Sequence, residues 1–165
     1  MDIQVMGHVG RRYVDRGEQV VHDPSPAVIT NLLAELCAVD EDPEWWNDGV
    51  IGKVGAVDGV GFVVAPVTGY VALSWTGTAE RSLNPKPFDD APLLPRDGAD
   101  DPLVYYPRSA YLPAEEAKKA LAEHIVTGAQ PTCVQWQPWG WEVRELPVWL
   151  TPEMPEYPAF HLISD

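Results

Sequence analysis

Apolar positions recur at helical spacing in two separate parts of the chain. Residues 26–39 carry a broad apolar stripe made of Val28, Ile29, Leu32, Leu33, Leu36 and Cys37. Ser25 is a suitable N-cap for this segment, and Pro26 suits the first helical position, where its missing N–H costs nothing. A second stripe, in residues 113–127, is made of Ala117, Ala120, Leu121, His124 and Ile125. The two stripes predict two amphipathic helices that cover a sheet.

The ends of the second predicted helix carry residue types that helix termini favour. Pro113 suits the first turn, and Glu115 and Glu116 place negative charge at the positive end of the helix dipole. Glu115 and Lys119 are four residues apart, which predicts an ion pair on the solvent side. Gly128 lies where a left-handed residue is expected to end the helix. These features predict a helix that ends at about residue 127.

Period-two alternation and short apolar runs predict an antiparallel sheet. Residues 1–24 are expected to form a hairpin, and residues 50–75 a meander with turns at 58–59 and 68–69. The predicted strands are 3–6, 19–22, 50–57, 59–65, 69–75, 104–106, 133–136 and, at an edge, 142–149. Val134 and Trp136 share one face of their strand, and Trp136 is assigned to packing within the fold.

Two proline-rich stretches complete the organisation of the chain. Residues 76–102 are predicted to be a long loop, which is either functional or a solvated excursion. Residues 138–165 are too aromatic for a disordered tail and are expected to wrap on the domain. The sequence therefore predicts a single α+β domain with an antiparallel sheet and about two packed helices, near 26–39 and 113–127. Residues 1–137 are expected to form this domain, and residues 138–165 are expected to be an extension packed on it.

The charge balance narrows the classes of partner. The chain of 165 residues has 25 acidic and 11 basic side chains, a net charge of −14. This balance disfavours nucleic acid and anionic membranes as direct partners, because phosphates would be repelled. It favours a cationic protein partner and would speed the encounter with it. The alternative is that the acidity only keeps the protein in solution.

The N-terminus, the apolar runs and the cysteines indicate the cellular compartment. The N-terminus has acidic Asp2 and no apolar core of a signal peptide, and no apolar run reaches membrane-spanning length. Cys37 and Cys133 belong to no CxxC pair or disulfide framework, so both are expected to be free, buried thiols. A cytoplasmic location is therefore expected.

The chain lacks the motifs of common enzyme and metal sites. Its four histidines are scattered, and HExxH, GxSxG and a phosphate-binding GxGxxG before a helix do not occur. His124, on the packed face of its helix, is expected to be a core residue. Asp40, Asp42 and Glu44 have the alternating spacing of a calcium loop, but Trp45 replaces the required glycine. No metal or cofactor is expected, and an enzyme is the less favoured interpretation.

Acidic stretches and nearby tryptophans are the candidate binding surface, because carboxylates could face a cationic partner and aromatic anchors ringed by charge are typical of protein interfaces. The alternative for the tryptophans is that they fold back onto the sheet, and for the carboxylates that they are simply solvated. The candidates are Asp40, Glu41, Asp42, Glu44, Trp45 and Trp46 in the first stretch, Asp89 and Asp90 in the predicted loop, and Trp139 and Trp141 after the last helix.

The C-terminal half resembles the Imm1 family of bacterial immunity proteins. The residues that carry the resemblance are Leu112–Pro113, Ala117, Ala120–Leu121, Thr127–Gly128, Pro131–Thr132, Val134 and Trp136–Gln137. Weaker similarity upstream comprises Gly17–Glu18, the first predicted helix and the glycine-centred hairpin of residues 59–75. The resemblance spans roughly residues 17–137.

This resemblance implies a stoichiometric inhibitor of a secreted toxin, commonly a nucleic-acid deaminase or a nuclease. Such a toxin presents a basic cleft, which an acidic surface can occupy. The sequence leaves two other hypotheses open. One is a small α+β hydrolase or ligand-binding domain with a pocket under the aromatic tail. The other is an acidic adaptor protein without a toxin partner.

Overall fold

The computed structural model describes residues 1–9, 14–39, 47–91, 104–140 and 142–143. The described elements are β1 (Ile3–Val9), β2 (Val14–Val21), α1 (Pro26–Leu36), β3 (Asn47–Lys53), β4 (Gly59–Val64), β5 (Val71–Trp75), β6 (Glu80–Leu83), β7 (Val104–Tyr105), a 3₁₀ turn (Arg108–Ala110), β8 (Tyr111–Leu112), α2 (Ala114–Thr127), β9 (Gln135–Pro138) and β10 (Glu142–Val143). Eight of these strands form an antiparallel sheet in the order β2–β1–β3–β4–β5–β6–β9, with β8 also paired to β5. The predicted α+β class with two helices is confirmed.

Both helices begin and end close to the predicted residues. The Val28 N–H lies 3.4 Å from the Ser25 hydroxyl oxygen that caps α1, and Pro26 occupies the first turn. Pro113 is the N-cap of α2 rather than a residue of its first turn. Gly128 ends α2 with a left-handed φ of 71°. The predicted Glu115–Lys119 pair is wrong in register, because Glu115 binds Lys118 at 3.0 Å instead.

The helices cover one face of the sheet and contact each other. Since side chains alternate along a strand, Val71, Leu73 and Trp75 of β5 all point into this core. Ile51 and Phe62 extend it across β3 and β4, and the helices bury Ile29, Leu32, Leu33, Leu36, Ala117, Ala120, Leu121 and Ile125. Most of the hydrophobic stabilisation therefore lies between this face and the two helices.

His124 is a buried residue of this core, as the sequence predicted. Its Nδ1 lies 2.7 Å from the Ala129 carbonyl oxygen, and its ring meets the edge of Trp75 with 5.6 Å between the centroids. Cys37 is also buried, and burial raises the pKa of its thiol to about 11, which keeps it protonated and unreactive. The expectation of a second buried thiol is wrong, because Cys133 is exposed beyond the end of α2.

Two strand predictions are wrong, and they concern β6 and β7. The predicted loop of residues 76–102 contains β6, and its Arg81 and Ser82 are fully buried. The Ser82 hydroxyl accepts a hydrogen bond from Leu73 N (2.9 Å) and donates one to Ala110 O (2.5 Å), so a polar side chain is satisfied in the sheet. Strand β7 was expected to rejoin the main sheet, but it pairs with β10 in a separate two-stranded sheet.

Glu123 fixes the loop between α2 and β9. Its carboxylate accepts hydrogen bonds from Thr132 N (2.8 Å), Thr132 Oγ1 (2.7 Å) and Cys133 N (3.2 Å). These bonds, led by the one from the Thr132 backbone, lower the pKa of Glu123 to about 2. Trp136 Nε1 donates to Pro131 O (2.8 Å) in the same loop. The loop is thus tied to both the helix and the following strand.

Gly49 allows β1 and β3 to approach closely, and we expect Gly49→Ala to destabilise the fold by about 2 kcal/mol or more. A Cβ atom there would lie 2.3 Å from Met6 O and 2.9 Å from Phe62 Cζ. The matched control is Gly52→Ala in the same strand, where the nearest atom would be 3.4 Å away. This control should stay within about 0.5 kcal/mol of wild type in urea unfolding. Equal losses in both variants would contradict the packing argument.

We expect Glu123→Gln to reduce stability most above pH 4.5. The pKa of Glu123 is lowered on folding from 4.5 to about 2, so its contribution is complete above 4.5 and is lost as pH falls toward 2. The difference in free energy of unfolding between wild type and variant should therefore shrink over that range. Urea titrations at a series of pH values measure it. A difference that does not vary with pH would show that the carboxylate charge is unimportant.

Candidate functional site

The outer face of the sheet, opposite the helices, carries a second and smaller apolar cluster. Ala72 points to this face, because its neighbours Val71 and Leu73 point into the main core. Its register partners are Val63 and Tyr111. The residues packed around them are Ala65, Tyr70, Phe88, Ala91, Tyr106 and Ala110. Residues 88–91 and 106–110 therefore cover part of this face and hold nearby side chains in place.

Two of the predicted site residues, Asp89 and Asp90, are exposed at the margin of this cluster. Tyr70 and Phe88 stack face to face with their centroids 3.9 Å apart. The Tyr70 hydroxyl donates to Asp90 Oδ1 at 3.0 Å. Burial first, and then the Asp90 carboxylate, raise the pKa of Tyr70, so the phenol remains a hydrogen-bond donor. The aromatic pair therefore orients the Asp90 carboxylate, and the neighbouring Asp89 is exposed beside it.

The β4–β5 turn lies beside these residues. Ala65 N donates to Tyr70 O (2.7 Å), and Gly69 N donates to Ala65 O (3.0 Å). Within the turn Pro66 is buried, whereas Val67 is 63% exposed and has a left-handed φ of 65°. The side chain of Val39, at the end of the α1 segment, lies against Gly69. We call this region the tip surface, and its members are Val39, Val67, Tyr70, Asp89 and Asp90.

The other acidic candidates flank the tip surface in the chain. Asp40, Glu41, Asp42, Glu44, Trp45 and Trp46 lie outside the described residues. The residues on either side of them are described, and both are at this end of the sheet. Val39 belongs to the tip surface, and Asn47 pairs with Val64 at the start of the turn. The Asn47 amide also donates to Ala38 O, which links the two flanks.

Trp139 lies elsewhere on the outer face, stacked on Arg81. The Arg81 guanidinium carbon is 3.9 Å from the Trp139 ring centroid and 4.2 Å from that of Tyr106. Burial lowers the pKa of Arg81, but an arginine keeps its proton at neutral pH. Arg81 is the register partner of Ser74 in β5. Ser74 lies four residues after Tyr70, so Arg81 is roughly 13 Å from Tyr70 along the strand direction. The structure therefore does not bring Trp139 into the tip surface, and Trp141 lies outside the described residues.

Sequence reasoning missed Arg81, Tyr106 and Val67. A charged residue in the polar run ERSL indicates a loop, and its aromatic neighbours are 25 and 58 positions away along the chain. The left-handed conformation of Val67 is also not encoded by its type, since β-branched residues avoid it. The only sequence signal for this site was the predicted turn at residues 68–69, which does not specify the φ value of Val67.

The described residues contain neither a metal-binding cluster nor a membrane-spanning helix. In the parts of the chain that the structure describes, no three His, Cys, Asp or Glu side chains could hold one metal ion. His22 lies at the surface with its Nδ1 2.9 Å from an Asp2 oxygen. No helix in the same parts is both long and apolar enough to cross a membrane. The tip surface, with the stacked rings of Tyr70 and Phe88 and the oriented carboxylate of Asp90, has groups that can contact a protein surface.

We expect Arg81→Lys to cost about 2 kcal/mol, because a lysine cannot stack its charge as a plane between two rings. The change should also alter the fluorescence of Trp139, which is 43% exposed and covers the guanidinium. Lys86→Arg, the reverse exchange at an exposed position, is the control and should change neither measurement. Unfolding in urea, followed by tryptophan emission, compares the three proteins. A fully stable Arg81→Lys protein would contradict a structural role for the stack.

Comparison with known proteins supplies the family. Residues 19–138 match the family model described as Immunity protein Imm1. The match begins in β2, includes α1, the turn of the tip surface and α2, and ends with β9. Comparisons with curated proteins and with solved structures gave no significant match. Because the matched region covers well over half of the chain, this protein belongs to the Imm1 family of immunity proteins.

Proposed function

We propose that this protein neutralises a cognate toxin by binding it, inside the cytoplasm of the bacterium that makes both. The observation that carries the proposal is the match of residues 19–138 to an immunity-protein family. The toxin is proposed to be a nucleic-acid deaminase or a nuclease. In this proposal the immunity protein is a stoichiometric inhibitor and catalyses no reaction, and it needs no metal or cofactor.

The net charge supports this class of toxin. An enzyme that acts on nucleic acid needs a basic cleft to hold phosphates. A partner with a net charge of −14 is attracted to such a cleft and repelled by nucleic acid itself. Complementary charge raises the association rate more than it raises affinity, which suits an inhibitor that must act before the toxin reaches its substrate.

We propose the tip surface as the place where the toxin binds. Asp89 and Asp90 are exposed there, and Asp90 is oriented by Tyr70. The acidic residues 40–44, with Trp45 and Trp46, are flanked by two residues at the same end of the sheet. A binding surface that combines these groups would offer several carboxylates around aromatic anchors. Trp139 and Trp141 are proposed as a separate, peripheral contact.

Co-expression tests the function directly. We expect the protein to restore growth of cells that express the toxin encoded by the adjacent gene, and to co-purify with that toxin at one-to-one ratio. The control is the same toxin expressed without the immunity protein. Growth arrest despite co-expression would overturn the proposal. Turnover of a substrate by the isolated protein would instead favour a hydrolase, and the absence of a neighbouring toxin gene would favour an adaptor.

Charge reversal tests the role of the acidic residues. We expect the combined substitutions Asp40→Lys, Asp42→Lys and Asp89→Lys to lower the association rate with the toxin at least tenfold at low salt, with convergence toward wild type at high salt. Asp89→Lys alone and Asp58→Lys alone are the matched pair, because both change the net charge equally and Asp58 is exposed in the β3–β4 turn at the other end of the sheet. Stopped-flow or surface plasmon resonance at several salt concentrations measures the rates. A rate that is insensitive to both charge and salt would exclude electrostatic steering.

A further inference from the structure

Val67 adopts a backbone conformation that its side chain disfavours. Its φ of 65° lies in the left-handed region, where a branched Cβ crowds the neighbouring carbonyl. The other described residues with positive φ are Asp23, Ala79 and three glycines, and none of them is branched at Cβ. A glycine or an asparagine would occupy position 67 with less strain.

Packing within the protein does not account for the valine. Val67 is 63% exposed, so its methyl groups contribute little to the core. The turn is held by backbone hydrogen bonds, from Ala65 N to Tyr70 O and from Gly69 N to Ala65 O, which do not require any particular side chain at position 67. A strained and exposed apolar residue on a turn that could do without it is a candidate for binding.

The neighbours of Val67 specify the kind of partner. Val39, which is 49% exposed, packs on Gly69 in the same turn and adds apolar surface. The stacked rings of Tyr70 and Phe88 give a rigid margin, and Asp89 beside them is exposed. An apolar centre with a charged margin is the arrangement of a protein interface. The matching surface on the partner is an apolar recess bordered by lysine or arginine.

We propose that the β4–β5 turn docks the toxin, with Val67 inserted into an apolar recess at the edge of the toxin's basic cleft. This inference rests on the proposed function, because the occupant to which it commits is the cognate toxin. The net charge of −14 and the exposed carboxylates of the tip surface argue for a cationic protein rather than a second copy of this acidic chain. Val67 is therefore a binding residue whose backbone strain is retained for the contact.

Val67→Asn separates binding from folding. Asparagine accepts the left-handed conformation but lacks the apolar branches, so the melting temperature should stay equal or rise while the toxin dissociates at least tenfold faster. Val67→Gly should behave in the same way. The matched control is Val57→Asn, because Val57 is 97% exposed in the β3–β4 turn at the other end of the sheet. This control should change neither the melting temperature nor the dissociation rate.

The outcomes distinguish this inference from the proposed function. If wild-type protein fails to bind or neutralise the toxin, the proposed function fails. If wild type binds and both Val67 variants dissociate at the wild-type rate, the docking inference alone is overturned. A lower melting temperature in both variants would show that the methyl groups contribute to folding, which also contradicts it. Faster dissociation in Val57→Asn as well would show that general apolar exposure matters, not this turn.

Discussion

The arrangement of the outer face depends on how the side of β5 that faces away from β4 forms its backbone hydrogen bonds. Strand β8 pairs with that side at Val71 and Ala72, and β6 pairs with it at Ser74 and Trp75. Leu73 lies between the two partners, and its buried N–H is satisfied by the Ser82 hydroxyl rather than by a strand. An unpaired buried N–H would destabilise the sheet. This serine therefore allows β6 and β8 to pair with the same side of β5, and it also binds the Ala110 carbonyl oxygen on the outer face.

The division between the two faces explains how a stable protein can keep a strained turn. The inner face carries the two helices and the larger core, in which His124 and Cys37 are buried. The outer face carries a smaller cluster around Tyr111, with polar and charged residues at its margin. Stability comes mainly from the inner face, so the turn at Val67 can retain an unfavourable backbone conformation. A rigid surface loses less conformational entropy on binding than a flexible one does.

The sequence predicted the parts of the fold that local chemistry determines. The caps at Ser25 and Gly128, the two apolar stripes and the meander of β3 to β5 follow from residue type and spacing, and the structure confirms them. The predicted bounds of β3 are wrong, because it spans Asn47–Lys53 rather than 50–57. Strand β6 could not be predicted, because Arg81 and Ser82 are satisfied by residues distant in the chain, among them Tyr106 and Ala110. Exposure of Asp89 and Asp90 was predictable from their charge, whereas the φ of Val67 is set by the turn and not by its own preference.

The position of Arg81 under Trp139 also limits where the chain can be shortened. The guanidinium is fully buried, and Trp139 forms one of the two aromatic walls around it. Trp139 is held by its own N–H, which donates to Ala79 O at 3.0 Å in the β5–β6 turn. Removing the indole would take away one of the two rings on which the guanidinium stacks and would uncover the other, Tyr106, and the adjacent sheet. A minimal version of this domain for biochemical work should therefore extend through residue 139, one position beyond the family match.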